Sequence, residues 1–118
     1  MLSEASGVTK IFIVCGYTDM RRGIDGLAQL IEGRYRLSPF EPNVLFLFCG
    51  RRPDRIKGLL WEGNGFLLLY KRYEGGSLSW PRTPEEAFQL TKGEYRLLLQ
   101  GLNPVRRRIP KVYPETSL

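Results

Sequence analysis

Apolar residues fall along this chain first in a short unbroken run, then at helical spacing, then in runs again, and each change of period marks an element. The run "KIFIVCG" at residues 10–16 reads as a buried strand ending at Gly16. In "TDMRRGIDGLAQLIEGRY", residues 18–35, Met20, Ile24, Leu27 and Ile31 share one face. The spacing predicts a helix capped by Thr18 or Asp19, with Arg21, Arg22, Asp25 and Gln29 on its far side. Gly23 and Gly26 are costly within a helix, a cost best explained by tight packing on the sheet or by close approach of another backbone or a ligand. The unbroken run in "NVLFLFCG", residues 43–50, predicts a central strand covered on both faces. Residues 55–62, 66–73 and 77–80 read as three further strands, joined by the turn signals "GNG" and "EGGS" into an antiparallel meander. After Pro81, "TPEEAFQL" and "TKGEYRLLLQGL" each start on a Thr cap and predict two helices, the second with Tyr95, Leu98, Leu99 and Leu102 on one face.

These elements add up to an α+β fold: a single domain with a mainly antiparallel sheet of about five strands, a β-hairpin meander, one helix after the first strand and two C-terminal helices. The domain is expected over residues 10–103, after a flexible lead-in at 1–9 and before a basic, proline-rich tail at 104–118. A chain of 118 residues buries about two-thirds of its unfolded surface, enough for a core without metal or disulfide. Cys15 and Cys49 each lie inside an apolar run and are expected to be buried thiols. The absence of an N-terminal signal and of any apolar stretch of about 18 residues points to a cytoplasmic protein with no membrane contact.

Charge changes the picture. Lys and Arg outnumber Asp and Glu by 18 to 12, and 13 of the 18 are Arg, whose planar fork suits phosphate or carboxylate. There is no His, which removes imidazole acid–base catalysis, His triads and His-based metal sites. The sequence carries no Cys-x-x-Cys, no phosphate loop of the Walker kind and no dinucleotide fingerprint. Asp19, Asp25, Asp54 and Glu62 could in principle form a nuclease-type metal cluster, but Asp19 fits a helix cap and Asp54 sits among four cations, so they are better suited to orienting arginines. Neither an enzyme activity, a cofactor nor a metal is expected. What remains is the hairpin. With Asn64 and Gly65 at the turn centre, Lys57 faces Arg72; with Gly63 and Asn64 there, Arg55 faces Arg72 and Lys57 faces Tyr70. Both registers crowd cations at the open end, where like charges directly opposite are destabilising, so an outside anion is expected to neutralise them. Arg51, Arg52, Arg55, Lys57, Lys71 and Arg72, joined by Arg21 and Arg22 and flanked by Tyr70, Tyr73 and Trp80, form a candidate nucleic-acid patch in which Trp80 could stack on a base. The other reading is a solvated sheet end whose charges guard strand edges. Arg106, Arg107 and Arg108 add a third basic piece.

"GYTDMRRGIDGLAQLI", followed by "LFLFCGRRPDRIKGLLWEGNGFLLLYKRYEGGSLSWP", resembles the small TnpB or Orf2-like accessory proteins of insertion-sequence family sixty-six of bacterial transposable elements, over roughly residues 8–103. The resemblance implies a non-catalytic helper encoded beside a larger transposase. Combined with the patch, it gives an accessory protein for DNA transposition whose partners are element DNA and the transposase. The alternative is a protein-only adaptor that binds the transposase and never touches DNA.

Overall fold

The computed structural model describes residues 7–76, 78–81 and 87–99. Five strands form one sheet in the order β4-β3-β2-β1-β5: β1 Lys10–Val14, β2 Val44–Cys49, β3 Arg55–Trp61, β4 Phe66–Arg72 and β5 Ala87–Leu90. Three of the four pairings are antiparallel, while β1 and β2 run parallel. A strand–helix–strand connection demands that parallel pair, because the intervening helix carries the chain back before the second strand starts.

The helix is α1, Ile24–Gln29, continued by a π-helical turn at Leu30–Arg34. It is shorter than expected and its cap is Gly23, not Thr18 or Asp19. Asp19 instead accepts the Arg21 N–H at 2.9 Å and organises the turn before the helix. Thr18 is buried, and its N–H bonds the Cys49 carbonyl at 2.7 Å. Neither glycine meets the sheet: a Cβ at Gly23 would touch nothing, and one at Gly26 would meet the Arg22 side chain at 3.3 Å.

Alternation along β2 divides the core. Val44, Phe46 and Phe48 join Leu27, Ala28, Ile31 and Leu59 under α1. Leu45, Leu47 and Cys49 point the other way, to Ile13, Ile56, Leu90 and Leu98. Both faces of β2 are covered, as its unbroken apolar run requires. Leu98 belongs to the helix α2, Lys92–Leu99, which starts with a reciprocal cap: Glu94 N–H donates to Thr91 Oγ1 at 3.1 Å and Thr91 N–H to Glu94 Oε1 at 2.9 Å. Cys15 and Cys49 are buried and not joined in a disulfide.

Two expectations fail after β4. Leu78–Trp80 do not add a third strand to the meander. The Leu78 N–H bonds the Pro53 carbonyl at 2.6 Å, and the chain crosses the face of the sheet, burying Leu78 and Trp80 in the core and leaving Ser79 exposed. The alternating pattern at this point records a chain lying across a sheet rather than along its edge. "TPEEAFQL" is not one helix either, because Ala87–Leu90 pair antiparallel with β1. The free edge of β1 offers backbone bonds that outweigh the modest helix preference of those residues. The lead-in before Gly7, the Thr83 cap and the arginine-rich tail lie outside the described residues. No helix among the described residues is long and apolar enough to cross a membrane.

Candidate functional site

Because β1 and β2 are parallel, the loops that leave them emerge at one end of the sheet. β3 begins and β4 finishes at that same end. Residues 17–21 and 50–55 therefore meet, and between them lies a cleft of about 430 Å³ lined by Tyr17, Thr18, Asp19, Met20, Arg21, Gly50, Arg51, Arg52 and Arg55. The two loops touch at Gly50, where a Cβ would stand 2.7 Å from Met20 Cγ. A side chain at position 50 would push the two walls apart.

Each arginine in the cleft has its own setting. Arg21 grips Asp19 with a fork, Nε to Oδ1 at 3.0 Å and Nη2 to Oδ2 at 2.8 Å, while the guanidinium itself stays exposed. That fork and the Arg21 N–H hold the Asp19 carboxyl far below the usual carboxylate range. The Arg51 guanidinium lies 4.7 Å from the Tyr17 ring centroid and donates Nη2–H to the phenol oxygen at 2.7 Å. Arg52 is exposed at the mouth. Arg55 approaches Asp54 at 3.4 Å, an ion pair without hydrogen-bond geometry, since Arg55 Nε and Asp54 Oδ1 are both buried with no such partner.

The other sequence-derived candidates divide. The hairpin register is the one with Gly63 and Asn64 at the turn centre, so Arg55 faces Arg72 and Lys57 faces Tyr70. Gly63 at φ 91° and the Glu62 N–H to Gly65 carbonyl bond of 2.9 Å close the turn. Arg72 stands beside the cleft and is paired with Glu74 at 2.7 Å, which raises its pKa further. The crowding of Arg55 and Arg72 is thus countered in part from within the chain. Lys57 reaches under α1 to the Arg22 carbonyl at 2.9 Å, and Arg22 folds back on the Gly26 carbonyl at 3.4 Å. The first bond ties the start of the helix to the sheet, and the second stays within the helix and the turn before it. Lys71 points to the α2 face, over the Tyr73 ring at 4.8 Å. Trp80 is no stacking platform: it is 4% exposed and its indole N–H donates to the Val14 carbonyl at 2.9 Å.

Tyr17, the cleft aromatic, was not among the sequence candidates. Its only signal is its place directly after Gly16 at the end of a strand, and the bond to Arg51 spans 34 positions. Among the described residues no group of three or more His, Cys, Asp or Glu could hold a metal ion. The cleft gathers four guanidinium groups, one phenol and one carboxylate, chemistry suited to a phosphorylated or carboxylated group.

A family model described as IS66 Orf2 like protein matches residues 9–108. The chain is 29% identical over 106 residues to the uncharacterized protein y4jC of Sinorhizobium fredii, covering 90% of this chain and 89% of that one. It is 32% identical over 103 residues to the uncharacterized protein y4hO of the same organism, covering 87% and 88%. No solved structure matches.

Proposed function

Because the chain belongs to the IS66 Orf2-like family, we propose that it is a non-catalytic accessory protein of transposition that holds element DNA, or the transposase–DNA complex, at its arginine-lined cleft. The observation that carries this reading is the convergence of Arg21, Arg51, Arg52 and Arg55 from two loops onto one concavity. Concave, Arg-rich surfaces suit phosphate oxygens because each guanidinium can offer two parallel donors. Asp19 sets Arg21 in place and lowers the local charge without cancelling it.

A second reading is favoured by a different observation. Phe40 and Tyr70 are large and exposed, and Phe40 sits against Trp61 and Phe66 with ring centroids 5.2 and 5.3 Å away. Exposed aromatics of this kind suit a protein partner, and the adaptor that binds transposase alone would use them.

Anisotropy titrations with element-end DNA, unrelated DNA and transposase separate the two. The expected result is DNA affinity that falls with salt. The slope of log affinity against log salt should shrink by about 0.9 for each phosphate that Arg21→Gln or Arg52→Gln leaves without its cation. Transposase binding with no salt-dependent DNA affinity would establish the adaptor instead.

A further inference from the structure

The shape of the cleft specifies more than a basic surface does. A duplex backbone presents phosphates in rows and is met by cations spread along a face. Here four arginines surround a space of about 430 Å³, within the range of roughly 300–1,000 Å³ typical of pockets for single small ligands. We infer that the cleft receives one terminal phosphate together with its nucleotide, so that the protein recognises phosphorylated nucleic-acid ends rather than continuous duplex. This inference rests on the DNA-binding reading above and narrows it.

Three features support it. A phosphomonoester has three unbridged oxygens and up to two charges, against two oxygens and one charge for an internal diester, so it can meet more of the converging guanidinium groups at once. Tyr17 borders the same cleft and is 53% exposed with Arg51 over its ring, placing an aromatic surface beside the phosphate position for the attached base. Asp19, kept ionised by Arg21, lies on the wall and lowers the positive charge of the cleft, so that it suits one phosphate better than several.

The test uses the full chain and fluorescent single-stranded oligonucleotides of one sequence carrying a 5′-phosphate, a 3′-phosphate or hydroxyls at both ends. Thymidine 5′-monophosphate and inorganic phosphate serve as competitors, and a duplex closed by hairpins at both ends supplies DNA without termini. The additional charge-assisted hydrogen bonds of the terminal group should tighten binding by about tenfold or more over the hydroxyl form at fixed salt. Arg52→Gln, at an exposed position that leaves the fold intact, and Arg51→Gln should each shrink that ratio towards one. Lys71→Gln, on the opposite sheet face, should preserve it. The mononucleotide should compete better than inorganic phosphate if the base also binds; equal competition would remove Tyr17 from the inference. Equal affinity for phosphorylated, hydroxyl and closed DNA, with salt dependence intact, overturns end recognition and leaves the DNA reading standing. Absence of binding to every DNA overturns both.

Discussion

Arg55 and Arg72 lie directly opposite one another across β3 and β4, and each is held by a carboxylate from its own strand end: Asp54 at 3.4 Å from Arg55 and Glu74 at 2.7 Å from Arg72. The like-charge pair is tolerable because the acids sit outside the strand register, where they can fold back over the guanidiniums. Removing Glu74 should leave the two arginines to repel. Glu74→Gln is expected to lower the thermal midpoint, more at low salt than at high salt. Adding Arg72→Gln should restore part of the loss. A midpoint indifferent to Glu74→Gln at low salt would mean that solvent alone screens the pair.

The meeting of the two cleft loops depends on Gly50. Gly50→Ala places a methyl 2.7 Å from Met20 Cγ and should destabilise by about 1–3 kcal/mol, the usual range for overpacking. The double variant Gly50→Ala, Met20→Ala should recover part of that, and chemical denaturation of the three proteins measures it. If the single variant is as stable as the parent, Met20 moves aside freely and the cleft walls are softer than their close approach suggests.

Trp80 fixes the crossing segment to the end of β1 through its bond to the Val14 carbonyl. Trp80→Phe keeps an aromatic ring and strands a buried acceptor, so a loss of about 1–3 kcal/mol is expected. Its effect on the salt slope of DNA binding should be nil, since the indole is in the core. A changed slope in a stably folded variant would return Trp80 to the binding surface.

Burial pushes the Tyr95 phenol up to about 12, against an ordinary value near 10.0. The unfolded chain therefore releases this proton first, and stability is full below pH 10 and declines between about pH 10 and 12. The phenol oxygen has no hydrogen-bond partner among the described residues, so Tyr95→Phe should hold or raise the midpoint at neutral pH and flatten the alkaline decline. Circular dichroism against pH, for parent and variant, reads both effects.

Much of the molecule was legible in the amino-acid order because the information is local. The unbroken apolar run of β2, the Ile24, Leu27, Ile31 stripe, the Gly-Asn-Gly turn and the Thr91–Glu94 cap each express a periodicity or a bond within a few residues. The same holds for the gathering of cations at the open end of the hairpin, which both candidate turns demanded, whereas the pairing of Arg72 with Arg55 rather than Lys57 was settled by the register. Tertiary structure decided what depends on partners distant in sequence. Ala87–Leu90 became a strand because β1 had an unpaired edge, and Leu78–Trp80 became a crossing because Pro53 and Val14 supplied the backbone acceptors. Lys57 was drawn to the Arg22 carbonyl and Trp80 into the core, so neither belongs to the cleft. Tyr17 joined Arg51 only because parallel β1 and β2 bring their outgoing loops side by side. Periodicity fixes which face of an element is apolar, but the neighbour that face meets is set by the balance of backbone pairing and burial over the whole sheet.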